Sequence, residues 1–312
     1  MTDVIAFFPG QGAQHTEMLS DLAAEYPIIR QTFEEASSAI NMDLWQLSQQ
    51  GPAETLNLTY NTQPALLTAS TALWRVIAET CPALNVTAAA GHSLGEYSAL
   101  VAADAVDFAD AVRLVRKRGE LMEAAVPAGQ GGMAAILGLD EEQIISVCAE
   151  ASAAGVVEPA NFNAPGQIVI AGAAGGVEKA IELAKQAGAK RALPLAVSGP
   201  FHSSLMKAAA EEFGEALAQV AFRAPAFPVF HNVDNQTATL AETPARLLAQ
   251  LYSPVNWTGA VQATHGKADI AIEFGPGKVL AGLNKRIDKT LNTVNTGDMA
   301  ALAAAINTIQ GS

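Results

Sequence analysis

The sequence predicts an α/β protein: a body built on a largely parallel sheet, carrying a smaller ferredoxin-like βαββαβ subdomain as an insert. Two observations lead there. Short apolar runs such as 4–8 and 270–274 alternate with longer stretches of helical periodicity, as buried parallel strands and their covering helices do. Between 128 and 198 the order becomes strand, helix, strand, strand, helix, strand, which is the ferredoxin-like order. The body is therefore assigned to 1–127 and 199–312, and the insert to 128–198.

Taken in order, the apolar run 4–8 ends at Pro9-Gly10 and reads as a buried strand. Segments 16–24 and 28–40 read as helices. Segment 63–79 does too, with Leu66, Ala69, Leu73, Val76 and Ile77 on one face. A strand at 86–90 runs into a helix at 94–103, and 108–125 is a second helix with Arg113, Arg116 and Lys117 on its polar side. In the insert, 133–139, 156–162, 167–171 and 190–195 are strands, and a turn at 163–166 separates the middle pair. Asp140 is placed as the N-cap of a helix, with Glu141 and Glu142 in the first turn where the helix dipole favours them. Segment 176–187 is the insert's second helix. The body resumes with a helix at 202–220, a short strand at 228–230, a helix at 244–251, a buried strand at 270–274, and a Gly-Pro-Gly turn leading into a helix through 286.

Composition removes several classes of function. The chain of 312 residues is half hydrophobic and only 16% charged, so it can bury a large core. No apolar run approaches the roughly 18 residues that span a membrane. The start MTDVIAFFPGQG lacks a basic region before its apolar run, so no secretory signal is expected. Cys81 and Cys148 have no metal-type spacing and read as free thiols in a reducing cytoplasm. A net charge of -13 argues against nucleic-acid binding. Local basic groups remain at Arg116-Lys117-Arg118, Lys190-Arg191 and Lys285-Arg286.

One stretch carries chemistry. Gly91-His92-Ser93-Leu94-Gly95 has the form G-x-S-x-G, between a strand and a helix. That context suits a nucleophile elbow, in which the serine occupies a strained turn and the glycines allow close backbone packing. A serine needs a base. Of the five histidines, His92 adjoins Ser93 and reads as support for the turn; His15 either lines the site or is solvated. His231 reads as structural, and His265 as exposed. His202, in SGPFHSSLM at the junction from insert to body, stands modestly ahead of the others. No acid marks itself as a third triad member, which leaves a backbone carbonyl or an amide side chain to orient the imidazole. The loop PGQGAQ after the first strand lacks the third glycine of a dinucleotide fingerprint. It is better read as an oxyanion loop, with backbone N–H groups from Gln11 and Leu94. Arg118 is either a solvated helix residue or a guanidinium aimed into the cleft, where it would need an anionic partner.

Together, FPGQGAQ, TQPALL, GHSLGE, RGELM, NFNAPGQIVIAG, PFHSSLM, QLYSPVNW and EFGPGKVLAGL resemble the malonyl-CoA:acyl-carrier-protein transacylases of fatty acid synthesis. The acyltransferase domains of polyketide synthases are similar too. The matching stretches run the length of the chain. The resemblance implies a hydrolase-like α/β body with the ferredoxin-like insert. It implies Ser93 as the acylated nucleophile, His202 as its base, Arg118 as the partner of the malonyl carboxylate, and Gln11 and Leu94 as oxyanion donors. It assigns to Gln250 the main-chain carbonyl that orients the histidine. It implies ping-pong transfer of malonyl from malonyl-CoA, as substrate, to the phosphopantetheine thiol of an acidic acyl carrier protein. No cofactor and no metal are expected, nor a nucleic-acid or membrane partner, and the chain is expected to be a cytoplasmic monomer. Phe201, bulky and just before His202, implies a preference for malonyl over methylmalonyl. Lys190, Arg191, Lys285 and Arg286 are the expected carrier-docking residues. The alternatives are a trans-acting acyltransferase of polyketide synthesis, a serine thioesterase on the same body, and a non-catalytic module.

Overall fold

The computed structural model describes residues 2–311. Its strands are β1 (Thr2–Phe8), β2 (Leu84–Gly91), β3 (Gly131–Leu137), β4 (Val157–Ala164), β5 (Gln167–Ala173), β6 (Arg191–Pro194), β7 (Val229–Phe230), β8 (Ile270–Glu273) and β9 (Asn292–Asn295). They form two sheets. The body sheet has the order β7-β2-β1-β8-β9, and every pairing in it is parallel. The second sheet, order β4-β5-β3-β6, is antiparallel. With the helices Glu141–Ala151 and Ala174–Gln186 it makes the ferredoxin-like unit.

The apolar run of β1 shows why a buried parallel strand needs no polar alternation. Val4, Ala6 and Phe8 pack into one core and Ile5 and Phe7 into another, on opposite faces of the sheet. Phe8 stacks on Phe274, while Phe7 meets Trp257 edge-on. The second sheet has a core of its own, including Ile136, Ile144, Val147, Ile168, Ile170 and Leu183. Asp140 caps its helix with a full capping box to Gln143.

Three elements differ from expectation. The segment after His202 is not one helix: a 3-10 turn covers Ser204–Met206 and the helix runs Lys207–Leu217. His202 has φ 61, a left-handed conformation that cannot be part of a right-handed helix. The helix at 16–24 shortens to Ser20–Glu25 because Glu17 and Leu19 also have positive φ. The helix Thr59–Thr80 begins before its apolar periodicity does, since Asn61, Thr62 and Gln63 are buried polar residues. The helices Leu44–Gln50, Trp257–Thr264 and Met299–Gln310, and β9, gave no separate signal.

The insert meets the body along a seam between β4 and loop segments of the body. Phe162 N–H donates to the Val255 carbonyl and Val255 N–H to the Ala160 carbonyl, both at 2.9 Å. The Ser204 N–H donates to Glu158 Oε2 at 2.6 Å. Among the described residues, no helix is long and apolar enough to cross a membrane.

Candidate active site

Register builds the site. Phe8 of β1 lies opposite Gly91 of β2. The loop 9–14 and the turn 92–94 therefore leave the sheet side by side at its carboxyl edge, where open α/β sheets hold their ligands. Ser93 has φ 50, a strained conformation for a side-chain-bearing residue. A Cβ on Gly91 would collide with the Gly95 carbonyl, and one on Gly95 with the Phe8 carbonyl. Only glycine lets the elbow lie this close to β1.

Ser93 Oγ is 2.7 Å from His202 Nε2. His202 Nδ1 is 2.8 Å from the Gln250 carbonyl. A carbonyl can only accept, so Nδ1 carries the proton and Nε2 presents its lone pair to the serine hydroxyl. His202 is buried, and burial together with the Arg118 charge holds its pKa down to about 3. The imidazole is neutral near pH 7 and competent as a base.

The triplet Arg116-Lys117-Arg118 splits because a helix turns about 100° per residue. Arg116 bonds Glu120 and Asn61 and covers the Tyr60 ring, while Lys117 is exposed. Arg118 points inward and is 1% exposed. Its Nη1 donates to Gln63 Oε1 at 2.8 Å. Its Nη2 donates to Gln250 Oε1 at 2.8 Å and to Ser93 Oγ at 3.2 Å. All of these partners are neutral. Its Nε, also buried, has no hydrogen-bond partner among the described residues.

A cleft of about 110 Å³ opens over these groups. Gln11 and Leu94 line it, as do Met122 and Phe201 from the body and Met133 and Leu195 from the insert. The Ser93 N–H is occupied by Asn232 Oδ1 at 2.8 Å. The N–H groups of Gln11 and Leu94 have no intramolecular hydrogen-bond partner among the described residues and remain available to an oxyanion.

The structure thus brings Ser93, His202, Arg118, Gln11 and Leu94 to one cleft, with Gln250 buried behind His202 and Arg118. Among the described residues, none of the other histidines is hydrogen-bonded to Ser93. His92 lines the cleft wall and bonds Asn163 Oδ1 of the insert at 2.7 Å. His231 is buried against Glu96, His15 is an exposed loop residue bonded to the Thr16 carbonyl, and exposed His265 bonds Asp288. Sequence reasoning missed Gln63, Asn232 and Glu96 as neighbours of the reactive groups. The available signal for Gln63 was a polar residue at the head of an apolar helix. Lys190, Arg191 and Arg286 line one surface groove of about 540 Å³, and Lys285 is exposed beside Arg286.

Residues 6–307 match the acyl transferase domain family. A malonyl CoA-acyl carrier protein transacylase of Salmonella typhimurium is 54% identical, the match covering 98% of this chain and 99% of that one. The Bacillus subtilis protein of the same name is 47% identical, with 99% and 98% covered. An acyl carrier protein S-malonyltransferase from Vibrio cholerae has a similar crystal structure, with TM-score 0.93 at 52% identity, covering 98% of this chain and all of that one. A malonyl-transacylase solved in complex with a type II polyketide synthase acyl-carrier protein gives TM-score 0.95 at 48% identity, covering 99% of this chain and all of that one.

Proposed function

Because the chain belongs to the acyl transferase domain family, we propose that it works by ping-pong chemistry through a malonyl ester on Ser93. The overall reaction is transfer of malonyl from malonyl-CoA to acyl carrier protein. The observation that carries the Ser93 reading is the meeting, in one cleft, of a serine, a neutral imidazole and a buried guanidinium with only neutral partners. A buried cation of that kind calls for an anion, and an acyl group ending in a carboxylate supplies one.

In the first half, Ser93 Oγ attacks the thioester carbonyl and His202 Nε2 takes the serine proton. The Gln11 and Leu94 N–H groups hold the tetrahedral oxyanion. The intermediate collapses, and coenzyme A leaves as the thiol, its sulfur taking the proton held by His202. In the second half the carrier's phosphopantetheine thiol gives its proton to His202 and attacks the ester. Collapse restores the serine, which regains the proton. Arg118 fixes the carboxylate throughout, which converts binding into orientation of the carbonyl. The Phe201 ring, buried beside His202, leaves little room for an α-methyl branch. The reading needs no cofactor or metal. It places the enzyme in the cytoplasm, where the buried thiols Cys81 and Cys148 stay reduced.

The test is intact mass after mixing with malonyl-CoA, with released coenzyme A read in parallel. A malonyl adduct is expected that discharges to carrier protein, disappears in Ser93→Ala, and gives way to acetyl loading in Arg118→Ala. Methylmalonyl loading is expected to be slower on the order of tenfold, as one methyl group permits. Steady hydrolysis without a thiol acceptor would overturn the transferase mechanism in favour of a thioesterase.

A further inference from the structure

Beneath the elbow lies a cluster of polar residues that the mechanism above leaves without a task. Glu96 is fully buried in the first turn of the helix Gly95–Ala102. Its Oε1 is 2.7 Å from His231 Nδ1. Its Oε2 accepts from the Asn232 N–H at 2.9 Å and from Gln250 Nε2 at 2.8 Å. Gln250 Nε2 also donates to the Ser93 carbonyl at 2.9 Å. A buried carboxylate is costly, and its retention here calls for more than packing.

The geometry fixes the Gln250 amide. Its nitrogen faces the Glu96 carboxylate, the Ser93 carbonyl and Asn232 Oδ1, which are all acceptors. Its oxygen must then face Arg118 Nη2. Were the amide to turn over, an NH2 group would oppose the guanidinium donors, and an oxygen would oppose the carboxylate. Gln63 would still hold Nη1, but Nη2, the nitrogen beside Ser93, would lose its amide partner.

We infer that Glu96, itself held by His231, is a positioning residue that locks the Gln250 amide and so holds Arg118 in the pose that receives the acyl carboxylate. This rests on the reading of Arg118 as the carboxylate partner. Gln250 then has two separate tasks: its main-chain carbonyl orients the base, and its side chain orients the carboxylate site. Acetyl transfer needs the first task and not the second.

The experiment is competitive loading from an equimolar mixture of malonyl-CoA and acetyl-CoA, read as the ratio of the two adduct masses. Partial unfolding lowers both adducts together and leaves the ratio unmoved. In Glu96→Met the ratio of malonyl to acetyl is expected to fall on the order of tenfold or more. Glu96→Gln is expected to restore most of it, because its amide oxygen still accepts from Gln250 and its NH2 can donate to a re-tautomerised His231. Should Glu96→Met fail to fold, Gln250→Met reads the same ratio from the other end of the bond, with the main-chain carbonyl retained. An unchanged ratio in either folded variant overturns the inference. Failure of the wild-type chain to prefer malonyl would instead overturn the reading of Arg118 on which it rests.

Discussion

His202 meets two opposing demands: it must be neutral to accept the serine proton, yet it lies beside a permanent cation. Burial and Arg118 both disfavour its charged form and hold its pKa at about 3, against an ordinary value of 6.5. The acidic limb of kcat/KM should therefore lie well below pH 6.5. In Arg118→Ala, assayed with acetyl-CoA, the limb should move up toward the ordinary value, because the repelling charge is gone. A limb that stays in place would show that burial alone sets the base. The sign for stability follows from the same shift. Between pH 6.5 and about 3 the unfolded chain binds a proton at this residue that the folded chain refuses, so stability falls on acidification through that window. At this scale the sequence was uneven in what it revealed. Ser93 was legible because its context is local, a few residues between strand and helix. The Glu96–Gln250–Arg118 chain was not, because it exists only when three distant segments fold together.

Among elements, the β2-to-helix turn sets the tightest constraint. Gly95→Ala should cost more than about 3 kcal/mol, because its Cβ falls on backbone that cannot move without displacing β1. Gly132→Ala, in β3, is the control: a Cβ there meets nothing within 4 Å, and the change should be near neutral. The difference in Tm between the two variants checks this. The central body strands β1, β2 and β8 were readable from unbroken apolar runs, because both their faces are buried. The helix after His202 was misjudged because periodicity reports side-chain burial and carries no mark of a left-handed residue. The helix 44–50 spans only about two turns, and the edge strand 292–295 is polar and incompletely buried, so neither carries a clear signal.

For the whole molecule, charge distribution decides how acyl carrier protein approaches a chain of net charge -13. Lys190 and Arg191, at the start of β6, and Arg286, on the helix Val279–Ile287, line one groove although they are far apart in sequence. Arg286 is also bonded to the Pro165 carbonyl and to Gln167, which ties that helix to the insert. Reversing Lys190 and Arg191 to glutamate should raise the KM for carrier protein on the order of tenfold at low salt. The effect should shrink as salt rises, since exposed charges are screened beyond about 10 Å at 0.1 M. An unchanged KM would place docking elsewhere.

The order of the body sheet also sets a timetable for the ribosome. β1 lies between β2 and β8, yet β8 is encoded at 270–273, long after every residue of the cleft. A growing chain has its nucleophile at 93, its base at 202 and its orienting carbonyl at 250 while β1 still lacks one neighbour. The catalytic inventory is complete well before the frame that holds it, and the last stretch translated closes the sheet beneath residues made first.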